Sequence, residues 1–166
     1  MKLEQFTLHY VRMPLQSPFA TSFGSVDTRD CILIEVKADG LTGWGECAAD
    51  YDPGYSYETS GTSWLILKEF LLPPLLGQDV ADAADFQRRV AHVKGHQMAK
   101  AGLEMALWDL LGLAQGQSLR QLLGGVHPRV DVGVSVGIQA SPETLVSTVE
   151  GYLTQGYRRV KIKIKP

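Results

Sequence analysis

The C-terminal part of the chain restricts the fold more than any other feature, because it predicts a strand, a helix and a second strand. "RVDVGVSVGIQ" predicts a short strand and "RRVKIKIK" another. Between them, "SPETLVSTVEGYLTQGY" predicts a helix with Ser141 as N-cap, Pro142 at its first position and Gly156 at its end. Strands joined by a helix pair in parallel, and two parallel strands alone leave edges and faces uncovered. We therefore expect these residues to begin a larger α/β sheet or barrel.

The preceding sequence indicates a different fold class. Apolar residues alternate from Phe6 onward, and "CILIEVKA", "DG" and "TGWGECA" predict two antiparallel strands joined by a tight turn. Helical patterns follow, and "MAKAGLEMALWDLLGLAQG" is apolar around most of its circumference, which predicts a helix buried on several sides. The sequence thus predicts an α+β domain over residues 1–125, followed over residues 126–166 by the start of an α/β domain.

A long polar segment separates the first two predicted strands. It reads "PLQSPFATSFGSVDTRD" and carries two aromatic residues with an exposed pattern, Phe19 and Phe23. We predict a loop here, and a long loop inside a compact domain is usually functional or disordered.

Composition excludes several classes of protein. The 166 residues carry 16 basic and 18 acidic side chains, and no block of like charge favours nucleic acid as a partner. Cys31 and Cys47 have no CxxC spacing and are expected to be reduced, mostly buried thiols. The N-terminus lacks the apolar region of a signal peptide, and no apolar run approaches the ~20 residues of a membrane span. We expect a cytoplasmic protein that contacts no membrane.

The last predicted strand alternates lysines with apolar residues. Side chains on a strand point alternately to opposite faces, so one face carries Lys161, Lys163 and Lys165. One interpretation is an edge strand with a solvated face. The other is functional: a lysine near another cation and partly desolvated has a lowered pKa and can act as a base. At the C-terminal end of a barrel strand it could remove an acidic C–H proton, if a divalent cation stabilised the enolate.

Six motifs carry a resemblance to a known family. In chain order they are "RMPLQSPFATSFG", "GWGECAA", "KGHQMAKAGLEMALWDLLG", "LLGG", "VGVSVGIQ" and "RVKIKIKP". Together they resemble the N-terminal part of enolase-superfamily enzymes, within the muconate-lactonizing-enzyme subgroup and closest to its o-succinylbenzoate synthase and N-acylamino acid racemase group. The resemblance covers essentially the whole chain. It implies an α+β capping domain followed by the first β-α-β of a TIM-like (β/α) barrel, which is incomplete in this chain.

The resemblance also implies roles for individual residues. Lys163 matches the acid/base on one face of the substrate, and Lys161 matches the lysine that assists it and contacts the enediolate. Ser135 matches a substrate-pocket position, with a small core residue as the alternative. Phe19 and Phe23 fall in a capping loop that closes over the substrate, although rings that anchor the loop on the sheet are the alternative. Tyr55 falls in a second capping loop, with Asp50 near it.

The metal site expected from the resemblance falls outside this chain. Family members bind Mg²⁺, or Mn²⁺, through acidic residues on the third to fifth barrel strands, and carry an opposite lysine on the sixth. We therefore expect no metal ligand here, and an isolated fragment without activity. Glu46 and Asp109 are expected to make structural pairs instead, and His96 a contact in a loop or at a helix start.

The implied function is removal of the proton α to a carboxylate. The candidate reactions are dehydration to o-succinylbenzoate in menaquinone biosynthesis and racemisation of N-acylamino acids. Dipeptide epimerisation and cycloisomerisation by the same superfamily are alternatives, and a non-catalytic, cap-like binding module is an alternative from another class. The expected partners are a small-molecule carboxylate substrate and, in the intact enzyme, further copies of the same chain.

Overall fold

The computed structural model describes residues 1–21 and 24–164. The contacts divide the chain into two compact units. The cap unit comprises Met1–Met13 and Arg29–Val126, and the lysine unit comprises Pro14–Thr28 and the residues from His127 onward.

A three-stranded sheet runs through the first part of the chain in the order β1 (Gln5–Thr21), β2 (Gly24–Ala38) and β3 (Leu41–Cys47). Strands β2 and β3 are antiparallel, with a register that runs from Ile32 opposite Cys47 to Ala38 opposite Leu41. Asp39 and Gly40 join them with φ of 51° and 76°. Two successive left-handed residues make the turn that suits a two-residue hairpin, so the turn predicted from "DG" is confirmed.

The long loop predicted between the first two strands is wrong. Strands β1 and β2 continue through this segment up to Thr21 and from Gly24 onward, and Phe23 lies outside the described residues. Polar side chains and prolines suggested a loop, but two neighbouring strands satisfy each other's main-chain groups whatever their side chains are. We call residues 14–21 and 24–28 together the hairpin segment.

Helices complete the cap unit. Helix α1 (Ser60–Ile66) continues into a π-helical turn (Leu67–Leu71), which ends before Pro73 and Pro74. Helices α2 (Ala83–Val90), α3 (Gln97–Gln115) and α4 (Leu119–Leu122) follow.

The core of the cap unit forms where α3 packs on the sheet. Inward-facing side chains of β2 and one face of α3 are fully buried, among them Ile32, Ile34, Val36, Leu103 and Leu110. The approach is close because glycines face each other: a Cβ on Gly102 would lie 2.8 Å from the Cys47 nitrogen. Helix α3 is nevertheless buried on one broad face only, since Met105 and Leu113 are each 51% exposed. The prediction of burial on several sides is therefore wrong for the described residues.

Both cysteines are buried and free, as predicted. Burial raises the pKa of the Cys31 thiol and also that of Cys47. Each thiol therefore packs as a small apolar group.

The lysine unit contains the predicted strand, helix and strand. These are β4 (Val134–Val136), α5 (Pro142–Thr154) and β5 (Val160–Ile162), and the two strands are parallel. Ser141 caps α5 by accepting a hydrogen bond from the Thr144 N–H at 3.2 Å, and Pro142 begins the helix. The strands are shorter than predicted. Along residues 1–21 and 24–164, no helix has both the length and the apolarity needed to cross a membrane.

Candidate functional site

The parallel strands of the lysine unit bring three candidate residues to one face. Ser135 on β4 lies opposite Lys161 on β5. The ladder continues one step further, because the Lys163 N–H donates to the Val136 carbonyl at 3.0 Å. Since side chains alternate along an extended strand, Ser135, Lys161 and Lys163 share a face, while Val136 and Ile162 belong to the other. Ser135 and Lys161 are exposed, Lys163 is half-buried, and Val136 is buried.

Phe19 of the hairpin segment covers the Lys163 side chain. The Lys163 Nζ lies 3.7 Å from the centroid of the Phe19 ring. This is a cation–π contact, in which the negative face of the ring attracts the ammonium. The ring is 50% exposed, so its other surface stays open. Neither prediction for Phe19, closing over the substrate or anchoring a loop on the sheet, included a contact with Lys163.

The remaining predicted pocket residues lie in the cap unit. Tyr55 is 87% exposed in a loop after β3. Asp50 pairs with the Arg29 guanidinium, which also donates to the Ala48 carbonyl at 2.7 Å. The Asp50 carbonyl accepts a hydrogen bond from the Ser60 N–H at 2.8 Å. The described contacts of Asp50 are therefore those of a residue that shapes its own loop, and its role toward a substrate stays a prediction.

The acidic residues considered as metal ligands do not form a metal site. Asp109 Oδ2 accepts a hydrogen bond from the Trp44 N–H on β3 at 2.9 Å, so its predicted structural pairing is confirmed. Glu46 is exposed on β3. Within the described ranges, no group of three His, Cys, Asp or Glu side chains could hold a metal ion.

The start of α3 holds one important residue that the sequence did not reveal. The buried Glu58 carboxylate accepts hydrogen bonds from the Met98 N–H at 3.0 Å and the Ala99 N–H at 3.2 Å. A negative charge there also interacts favourably with the partial positive charge of the helix N-terminus. His96 is the N-cap residue with φ of 53°, so it lies at the helix start as predicted, although its side chain makes no capping hydrogen bond. Glu58 precedes Met98 by 40 residues, so no local motif could have revealed the pair.

A protein-family model matches most of the cap. Residues 4–124 match the family model described as the N-terminal domain of mandelate racemase and muconate lactonizing enzyme. Among curated proteins, the whole chain is 44% identical to o-succinylbenzoate synthase of Geobacillus kaustophilus, of which it covers 44%. It is also 42% identical to N-succinylamino acid racemase of Thermus thermophilus, of which it covers 45%. The chain thus spans less than half the length of these relatives.

Solved structures of enolase-superfamily proteins are also similar to this chain. A crystal structure of an enolase-superfamily member from Listeria innocua matches the whole chain with a TM-score of 0.93 and 37% identity, and the match covers 45% of that protein. The L-Ala-D/L-Glu epimerase from Bacillus subtilis matches 99% of the chain with a TM-score of 0.87 and 30% identity, again over 45% of its length. The α+β region is therefore the enolase-type N-terminal capping domain, and the chain belongs to the mandelate racemase and muconate lactonizing enzyme family of the enolase superfamily.

Proposed function

We propose that this chain is the N-terminal part of an enzyme that removes the proton α to a carboxylate, as an o-succinylbenzoate synthase, an N-acylamino acid racemase, or both. The relatives that carry these names share 42–44% of its residues. Residues 1–125 would form the capping domain and residues 126–166 the first β-α-β of the barrel. A cytoplasmic location and a homo-oligomeric assembly stay predictions.

One observation carries the proposal. Lys161 on β5 and Lys163 directly after it share a face with a small hydroxyl residue, Ser135, on the neighbouring parallel strand. No carboxylate of the described residues forms an ion pair with either lysine, whereas Lys37 and Lys68 each pair with a glutamate. A strand that carries two unpaired amines beside Ser135 supports proton transfer better than it supports a salt-bridged surface.

Lys163 would act as the base. As a neutral amine, its Nζ would accept the proton while the C–H bond breaks and the electron pair moves into the carboxylate to form an enediolate. In dehydration, that pair then expels the hydroxyl from the neighbouring carbon, with a proton, as water. In racemisation, the carbon is reprotonated on its opposite face, which requires a second acid/base. Lys161, two residues earlier on the same face, would assist it, and Ser135 would line the pocket.

A divalent ion supplies the charge that stabilises an enediolate when it is bound. The residues described here do not fit such an ion, because they offer no group of three ligands. We therefore propose that Mg²⁺, or Mn²⁺, binds to residues outside this chain, in the part of the protein that corresponds to the other half of the relatives.

Isotope exchange tests the proposal. The full-length protein, as its organism produces it, is incubated in deuterium oxide with an N-succinylamino acid and Mg²⁺, and loss of the α-proton signal is followed by NMR. We expect exchange of both enantiomers in the native protein, loss of exchange from the one enantiomer whose α-proton faces Lys163 in Lys163→Ala, and unchanged exchange in Lys68→Ala, which removes a 63%-exposed lysine of the cap unit. Exchange of both enantiomers that survives Lys163→Ala at the native rate would refute the assigned base.

The same protein distinguishes the candidate reactions. Formation of o-succinylbenzoate from its cyclohexadiene precursor supports the synthase, and inversion of an N-succinylamino acid supports the racemase. Epimerisation of an L-Ala-L-Glu dipeptide or cycloisomerisation in their place would favour the superfamily alternatives. A native protein without proton exchange on any of these substrates would instead favour a non-catalytic binding module.

A further inference from the structure

The Phe19 ring brings the hairpin segment into direct contact with the proposed base, Lys163. A separation of 3.7 Å between Nζ and the ring centroid leaves no space for another molecule between them. The two residues belong to the same compact unit although they lie near opposite ends of the chain. The ring therefore fixes one side of the Lys163 amine and leaves its other sides available.

Lys163 lacks the usual means of holding a lysine in one place. Its flexible four-carbon stem adopts many rotamers unless a partner restrains the ammonium. Within residues 1–21 and 24–164, no carboxylate forms an ion pair with Lys163. The face of the Phe19 ring takes the place of such a partner. An aromatic face attracts the ammonium without offering a negative charge that would also repel a carboxylate substrate.

We propose that Phe19 is a positioning residue for proton transfer: its ring face holds the Lys163 Nζ at the end of β5, on the side of the strand that carries Ser135 and Lys161. This inference rests on the proposed role of Lys163 as the base. The ring attracts the ammonium more strongly than the neutral amine, so its attraction grows as the α C–H bond breaks and the new N–H bond places a positive charge on Nζ. The substrate would reach Nζ from a side that the ring leaves open.

Substitutions at Phe19 separate positioning from simple packing. Phe19→Leu keeps an apolar side chain but removes the ring face, whereas Phe19→Tyr keeps both. A cation–π contact at a half-exposed site corresponds to about a three- to tenfold effect on rate. We expect Phe19→Leu to lower kcat for α-proton exchange by that factor with a smaller change in KM, and Phe19→Tyr to restore it. Phe70→Leu is the matched control, because Phe70 is 51% exposed in the cap unit.

A second measurement needs no activity. The native protein and its variants are acetylated briefly with an amine-reactive reagent, and peptide mass spectrometry gives the labelling of Lys163 relative to Lys161. We expect Phe19→Leu to increase this ratio about threefold or more, on the same cation–π scale, because the ring no longer covers Nζ. Phe19→Tyr and Phe70→Leu should leave the ratio unchanged.

The outcomes are distinct. If proton exchange depends on Lys163 but Phe19→Leu matches the native kcat, the positioning role is wrong while the proposed function stands. If the native protein shows no exchange on any substrate, the proposed function fails, and positioning for proton transfer fails with it. In that case the labelling ratio still decides whether the ring holds the amine. An unchanged ratio in Phe19→Leu would overturn the contact itself.

Discussion

The cap unit and the lysine unit differ in how they are held together. Among residues 1–21 and 24–164, all the buried apolar residues except Val136 belong to the cap unit, and α5 contributes none. Strands β2 and β3 pair over seven residues each, whereas β4 and β5 pair over three. Burial of apolar area is the main favourable contribution to folding, so the cap owes its stability to its core. The lysine unit relies more on hydrogen bonds and helix capping.

The candidate functional residues therefore lie mainly outside the well-packed core. The four candidate residues that the structure brings into one unit, Phe19, Ser135, Lys161 and Lys163, lie where burial is sparse. Regions with few buried contacts open at a lower free energy than a packed core does. Within the described residues, the proposed base thus lies in the unit with fewer buried side chains.

The same glycine-to-alanine substitution in each unit should give the largest difference in stability between the two units. A Cβ on Gly45 would overlap the main-chain oxygen of Gly102 on α3, so Gly45→Ala must separate the helix from the sheet. We expect it to lower the free energy of unfolding by about 3 kcal/mol or more. Gly151 in the middle of α5 has nothing within 4 Å of such a Cβ, and Gly151→Ala should stabilise by about 0.5–1 kcal/mol through helix propensity.

Urea unfolding followed by circular dichroism measures the global change, and hydrogen exchange with mass spectrometry assigns it to α3 or α5. Loss of stability of similar size in both variants would contradict the view that only the cap is closely packed.

A smaller effect is expected at the start of α3. Glu58→Gln keeps the size of the side chain but replaces one acceptor oxygen by a donor that faces main-chain N–H groups. Loss of charge-assisted hydrogen bonds should cost about 1.5–3 kcal/mol. Hydrogen exchange should become faster at Met98 and Ala99 first. Glu69→Gln, on a half-exposed side chain, is the matched control and should behave as the native protein. Equal exchange in both variants would refute the capping role.

The smallest expected effect is on how the stability of each unit depends on pH. A hydrogen bond from His9 lowers the pKa of Glu35 in the cap unit, and one from Ser141 lowers that of Glu143 in α5, in both cases from an ordinary value of 4.5. A depressed folded-state pKa contributes stability that is present above the unfolded-state value and is lost as the pH falls through the folded-state value. Glu35→Gln should therefore weaken the acid dependence of the cap sheet only, and Glu143→Gln that of α5 only.

Hydrogen exchange measured between pH 5 and about pH 3, a range set by ordinary carboxylate pKa values, checks both variants. A change in the opposite unit would mean that the two units open together.

Most of the fold could be predicted from the sequence where the determinants are close in the chain. The Asp39–Gly40 turn, the capping of α5 by Ser141 and the shared face of alternate lysines each depend on a few consecutive residues. The α+β character of the cap followed from strand and helix periodicity, and the order of six motifs led to the correct family. The roles of Tyr55, Asp50 and Ser135 remain predictions, because they depend on a substrate and on residues beyond this chain.

Local sequence was enough to predict the β2–β3 turn, helix α5 and the lysines that face the same way, because these properties follow from backbone geometry over a few residues. The extended conformation of residues 14–21 and 24–28 could not be predicted in this way, because neighbouring strands of a sheet complete each other's hydrogen bonds. Tertiary structure also decided that Phe19 covers Lys163 and that Glu58 caps α3. Those contacts join residues far apart in the chain, where side-chain type alone does not specify a partner.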